Sequence, residues 1–210
     1  MPPKAVIFDI GRVIVRLELK RAFAPFISAI STMNSSGASQ CPERIWTAIQ
    51  SDPMWCDWQE GRIPPQHWYE HITQQIGIEA SFEEFCTAWN SVIVPETILP
   101  DSLFARLATR CRLGLLSNTD PIHVAYLEGH FSFVRHFPVR IYSNLVGASK
   151  PSPVIYQAAL AALGTRPNEA LYIDDIAEFG EAARRLGLDA IHFENPEQLA
   201  GEFLKRGLIT

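Results

Sequence analysis

The chain has 210 residues, enough for one large domain or two small ones, and at that length a fold buries roughly 70% of the unfolded surface without disulfide staples. A net charge of −5 argues against nucleic-acid or anionic-membrane partners, and no apolar run approaches the roughly 20 residues of a membrane span. Met1-Pro2-Pro3-Lys4 leads straight into apolar sequence, which predicts no signal peptide, and Cys41, Cys56, Cys86 and Cys111 form no close-spaced pair, as expected of reduced thiols in a cytoplasmic protein.

Ala5-Val6-Ile7-Phe8 reads as a strand buried on both faces, and Asp9 ends it. An acid there stands at the carboxyl edge of a parallel sheet, where open α/β sheets bind ligands; a turn cap leading into Gly11 is the plainer alternative. From Arg16 to Val94 no buried strand is evident. The patterns there are helical: Ala22 to Ile30, Pro42 to Gln50, a helix opened by Pro64-Pro65 and running to Ile76, and one started by a Ser81/Glu84 capping box and reaching Asn90. Ser31 to Gln40 reads as a loose linker. All five tryptophans (Trp46, Trp55, Trp58, Trp68, Trp89) fall in this stretch, and a small helical module needs such rings for its core.

From Pro95 the α/β rhythm resumes. Asp101 caps a helix to Arg110, and Arg112 to Leu116 is a strand ending in Ser117-Asn118-Thr119. Asp120-Pro121 reads as N-cap and first helical position, and Val139 to Tyr142 as a strand. Ser152-Pro153 opens a helix that Gly164 closes. Ala170 to Ile173 is a strand ending in Asp174-Asp175, followed by a helix to Leu186, a strand at Ala190 to Phe193 and a helix at Glu197 to Arg206. Alternation of this kind predicts an α/β fold with a Rossmann-like, five-stranded parallel sheet. Residues 1–15 and 95–210 form its core, and residues 16–94 form an inserted helical module.

Asp9, Ser117-Asn118-Thr119, Lys150-Pro151 and Asp174-Asp175 all stand where strands end or helices begin. Converging on one sheet edge, two carboxylates, a hydroxyl with helix-start N–H groups and an ammonium suit an anionic ligand with a hard divalent cation. Each also has an ordinary reading: Ser117, Asn118 and Asp120 as helix starts, Asp175 with Glu178 as a capping pair, Lys150 as a loop residue. His67 and His71 share a helix face at a zinc-compatible spacing, with no third ligand evident.

In this order FDIGRVI, LLSNT, SNLVGASKP and YIDD resemble the four motifs of the haloacid dehalogenase-like hydrolases, most nearly the FDLG-type small phosphatases such as the α-D-glucose-1-phosphate type. Asp57 to Ile63 resembles a cap segment of that group. The resemblance implies a magnesium-dependent phosphatase acting on a small phosphorylated metabolite, a sugar phosphate among the options, through an aspartyl-phosphate. By the same resemblance Asp9 is the nucleophile. Magnesium is held by Asp9, the Gly11 carbonyl and Asp175, with Asp174 in support. Ser117 and the Asn118 backbone bind phosphoryl oxygens, and Lys150 pairs with Asp9 and the phosphate. Two positions depart from the pattern. Gly11 stands where most of these phosphatases carry a second aspartate as general acid and base, a gap the FDLG type shares. Phe179, beside Glu178, stands where the group carries Asn or Asp. Arg12 beside the site either contacts substrate or points outward. A metal-free 2-haloacid dehalogenase, and a non-catalytic binding protein on the same fold, are the competing readings.

Overall fold

A computed structural model describes residues 2–22, 24–26 and 42–209. The strands are β1 (Ala5–Phe8), β2 (Val15–Leu17), β3 (Ile93–Thr97), β4 (Arg112–Ser117), β5 (Val139–Tyr142), β6 (Ala170–Asp174) and β7 (Asp189–His192). Five of them form a parallel sheet in the order β5-β4-β1-β6-β7. Phe8 pairs with Leu115 on one side and Ile173 on the other, so Asp9 emerges at the centre of the carboxyl edge.

Helices α1 (Pro42–Gln50), α2 (Trp55–Gln59), α3 (Pro65–Ile76) and α4 (Phe82–Asn90) lie between β2 and β3. Helices α5 (Asp101–Ala108), α6 (Pro121–His130), α7 (Ser143–Val146), α8 (Pro153–Leu163), α9 (Ala177–Arg185) and α10 (Pro196–Lys205) flank the sheet. The alternation of β1 divides the core. Val6 and Phe8 pack with Phe104, Phe137 and Phe203 on one face, while Ala5 and Ile7 pack with Ile155, Tyr156 and Ala183 on the other. The first face continues into the insertion, where the Trp58 and Trp68 rings stack 5.3 Å apart and Trp89 crosses them edge-on. Trp58, Trp68 and Trp89 are fully buried, as a small module without a sheet requires.

Most boundaries fall where the caps in the sequence put them. Ser81 and Glu84 form the reciprocal capping box, and Gly77 and Gly164 close their helices in the left-handed conformation. Several expectations are corrected. β2 and β3, absent from the sequence reading, pair as an antiparallel ribbon at the root of the insertion. They are short, and Pro95 and Glu96 interrupt the apolar run of β3. The five-residue α2 was too short to show a period. Asp101 is the first residue of its helix rather than its cap, and the helix ends at Ala108, not Arg110; the Asp101 carboxylate instead accepts from Ser132 and Arg135. Ile176, not Asp175, is the N-cap of α9. The last strand and last helix each lie one residue earlier than expected. The helix expected at Ala22 to Ile30 falls largely outside the described residues, which show a 3₁₀ turn at Ala24–Phe26; the Ser31 to Gln40 linker and Cys41 lie wholly outside them. Cys56, Cys86 and Cys111 are free thiols.

Candidate active site

Asp9 leaves the sheet with its N–H donating to the Ile173 carbonyl at 2.9 Å, which ties it to the neighbouring strand. Lys150 reaches it from the loop before α8. Its Nζ lies 2.6 Å from Asp9 Oδ1 and 2.8 Å from Asp174 Oδ2, and all three groups are buried. Asp174 is further held by the Tyr172 hydroxyl and, at 2.8 Å, by the Ile176 N–H. Asp175 stands more open beside them, and Asp9, Asp174 and Asp175 each offer a carboxylate oxygen within 4.8 Å of the others. The four groups expected to converge do so: Asp9, Ser117, Asn118, Thr119, Lys150 and Asp175 line one cavity together with Gly11, and Asp174 pairs with Lys150 beneath it.

Burial decides the electrostatics. It pushes the Asp9 carboxyl up to about 7, against the pull of the Lys150 ammonium. Burial also raises Asp175, with Arg12 pulling the other way. Lys150 is opposed by burial, yet the carboxylates of Asp9 and Asp174 hold its ammonium above the usual lysine range. The Tyr172 phenol is pushed well above its ordinary value by burial, then by Asp174 and Asp9, so it stays a donor.

Oxygen donors at this density suit a hard cation such as magnesium. Asp174 has its two oxygens engaged by Lys150, Tyr172 and the Ile176 N–H. Asp9 and Asp175 therefore have the freer oxygens.

The loops are tied to one another. The Asn118 amide accepts from the Lys150 N–H at 2.7 Å and donates to the Lys150 carbonyl at 3.0 Å. Ser143 Oγ accepts from the Thr119 N–H at 2.9 Å and lies 2.7 Å from the Gln59 carbonyl of the insertion. Glu60 accepts from the Ser149 N–H at 3.1 Å and pairs with Arg62 at 2.6 Å, so it is a staple between insertion and core rather than a free acid. At Gly61, with φ of 71°, a Cβ would meet the Asn144 carbonyl oxygen at 2.1 Å, which excludes any side chain at this docking point.

A second polar knot joins α4 to α6. Asp120 caps α6 through the Ile122 and His123 N–H groups and accepts from Trp89 Nε1 at 3.1 Å. His123 Nδ1 lies 2.8 Å from the same carboxylate, and Nε2 lies 3.1 Å from the Trp89 carbonyl. Both partners are acceptors, so the ring makes both bonds as the imidazolium. Burial opposes that charge, and Asp120 overcomes it and holds His123 above its ordinary range; burial likewise opposes the Asp120 charge, and His123 holds it below the usual carboxylate range.

Arg12, with φ of 58°, is exposed and lies 3.5 Å from Asp175, so it turns toward the site. The Phe179 ring lies 5.0 Å from Lys150 Nζ, so at this position it meets the ammonium rather than offering a ligand. His67 and His71 form no metal cluster among the described residues; His71 pairs with Asp52. Sequence reasoning missed the Asn118 clamp, Ser143, Tyr172 and the Asp120–His123–Trp89 knot. Tyr172 was readable, since two residues before Asp174 in a strand puts it on the same face.

This site, on this sheet, places the chain among known proteins. It belongs to the haloacid dehalogenase-like hydrolases, whose family model matches residues 3–187. It is 23% identical to D-ribitol-5-phosphate phosphatase of Bacteroides thetaiotaomicron, over 91% of this chain and 92% of that protein. It is 24% identical to mouse acyl-CoA dehydrogenase family member 10 over 95% of this chain, but spans 18% of that protein's length. Among solved structures, HAD family enzyme BT-2542 of Bacteroides thetaiotaomicron matches with a TM-score of 0.79 and 25% identity, covering 97% of this chain and 99% of that one. The same enzyme has been solved with magnesium and inorganic phosphate; in that form the TM-score is 0.77 and the identity 24%, over 96% of this chain and 99% of that one. The fold extends to the L-2-haloacid dehalogenase of Xanthobacter autotrophicus, with a TM-score of 0.60 and 19% identity over 99% of this chain and 85% of that one. Among the described residues no helix is long and apolar enough to cross a membrane.

Proposed function

We propose that the chain is a magnesium-dependent phosphatase that acts on a small phosphorylated metabolite through an aspartyl-phosphate on Asp9. The observation that carries this reading is the Asp9 carboxylate at the centre of the sheet edge, 2.6 Å from Lys150 Nζ, with the oxygens of Asp174 and Asp175 within 4.8 Å. The similar ribitol-5-phosphate phosphatase, and the magnesium and phosphate bound by BT-2542, support it.

Asp9 and Asp175, with the Gly11 carbonyl, are the residues that would hold magnesium. When bound, the ion supplies positive charge to the transferring phosphoryl oxygens. An Asp9 carboxylate oxygen attacks phosphorus as the ester P–O bond breaks, giving an aspartyl-phosphate and the alkoxide of the leaving group. Water then attacks that phosphorus and releases inorganic phosphate. Asp9 is regenerated, and the two protons of the water end on the alcohol and the phosphate. Lys150 neutralises Asp9 and the incoming anion. Ser117 and the Asn118 N–H bind phosphoryl oxygens, and Asp174 holds Lys150 in place. Residues 16–94 serve as the cap over a core of residues 1–15 and 95–210.

Phosphate release from p-nitrophenyl phosphate, with and without magnesium, tests the reading. Wild type releases phosphate with magnesium, and Asp9→Asn falls to near background. Absence of turnover across sugar, nucleotide and aryl phosphates would overturn it in favour of a binding protein, and halide release from 2-haloacids would change the electrophile to carbon.

A further inference from the structure

The cavity over Asp9, about 510 Å³, has two unlike parts. The floor at the sheet edge carries the acids and Lys150. The wall built by the insertion and its root is apolar, with Leu17 and Leu19 from the root and Trp46 and Trp55 from α1 and α2. Trp46 and Trp55 meet edge to face with centroids 6.1 Å apart, and Trp55 is half-buried, so its ring is both anchored and open to the cavity.

Leu17 is the telling residue. A Cβ built on Gly11 would lie 3.1 Å from Leu17 Cδ1, so a side chain at position 11 would press against the isobutyl group. Hydrocarbon thus borders the space beside Asp9 where a proton donor at position 11 would stand. The other ionisable groups around the cavity are engaged: Arg12 with Asp175, Asp120 with His123, and Lys150 between two carboxylates. Among the described residues the wall itself offers polar groups through Gln50 and Gln59 and carries no charge.

Hydroxyls pressed against the Leu17, Trp46 and Trp55 part of the wall, away from Gln50 and Gln59, lose their water and gain no partner, and each one stranded lowers affinity by a factor of about ten. A flat apolar group loses nothing and gains ring contact. We infer that the leaving group selected here is a flat apolar one, that of an arylalkyl or aryl phosphate seated between Leu17, Trp46 and Trp55, in preference to a polyol. The inference rests on the phosphatase reading and specifies the substrate class for the same site.

The test holds leaving-group chemistry constant. Naphthylmethyl phosphate and glycerol 3-phosphate both release a primary alkoxide, so their kcat/KM ratio with magnesium reads the wall rather than the acidity of the alcohol. In wild type the ratio is about ten or more, carried chiefly by KM. In Trp55→Ala and in Leu17→Asn it falls toward one, with folding checked by circular dichroism; should Trp55→Ala unfold, Leu17→Asn carries the comparison. A wild-type ratio of one or less, or a ratio unmoved in a folded variant, overturns the inference. Phenyl phosphate, turned over in the same series, separates the two failures. If it is hydrolysed while the ratio stays at one, the substrate class alone is wrong; if no ester releases phosphate, the phosphatase reading fails and the inference with it.

Discussion

Replacing Lys150 by methionine keeps the stem and removes the charge between Asp9 and Asp174. In wild type the ammonium lies 2.6 Å from one carboxylate and 2.8 Å from the other, and its side chain is 2% exposed. Removing one partner of a buried pair costs about 3–5 kcal/mol, because the remaining charge is left without compensation. In a chain of this size that lowers Tm by on the order of 10 °C. The sign with pH follows from the acids. Asp9 already stands at about 7 because of burial, with Lys150 pulling it down, and losing Lys150 drives it higher. An acid raised in the folded state contributes stability that is fully present below its unfolded value and is lost as pH rises through the folded value. The Asp9 part of the Lys150→Met deficit is therefore small at pH 5, where Asp9 is protonated, and large at pH 8, so the total deficit grows between the two. Urea unfolding at both pH values in EDTA measures it. A deficit equal at the two pH values, or below about 1 kcal/mol at pH 8, would falsify the premise that Lys150 is the principal compensation for these acids.

Asp175→Asn weakens magnesium binding by at least tenfold in calorimetry and abolishes magnesium-dependent turnover, while the metal-free Tm holds, since among the described residues Asp175 forms its ion pair with the exposed Arg12 and such pairs contribute little. Unchanged magnesium affinity would assign the cation to the wrong acid. His123→Gln lowers stability by about 1–3 kcal/mol. His123 is raised in the fold by Asp120 against the opposing effect of burial, so its contribution is fully present below the unfolded value of 6.5 and is lost as pH rises through the folded value. The deficit in urea is larger at pH 6 than at pH 9, and equal deficits would show that the folded ring is neutral.

The sheet and its edge were legible because they rest on local signals: apolar runs four to six residues long, Pro and Gly at helix ends, and acids placed where runs stop. Asp9, Ser117, Lys150 and Asp174-Asp175 were found for that reason, and the structure brings them together. The rest depends on tertiary partners. Nothing local announces that the Asn118 side chain clamps the Lys150 backbone across 32 residues, or that Ser143 lies between Thr119 and Gln59. Gly11 shows why a missing side chain is ambiguous in sequence. It signals the loss of an acid, and only the structure shows Leu17 bordering the vacated space. Phe179, a departure from the family pattern in sequence, is in space a ring 5.0 Å from Lys150 Nζ.

The insertion and the carboxyl edge of the sheet are tied together because the same segments bond to both. The segment leading to Lys150 meets the insertion twice, in α7 where Ser143 donates to the Gln59 carbonyl and in the following loop where the Ser149 N–H donates to Glu60. The segment carrying Ser117 and Asn118 runs into Asp120, which Trp89 of the insertion touches through its indole N–H. A shift of α2 or α4 is thus transmitted to the backbone that aims Lys150 and to the start of α6. Asn118, bonded to both the N–H and the carbonyl of Lys150, makes the two loops move together rather than separately. The apolar wall and the charged floor of the cavity are consequently held in register by these hydrogen bonds.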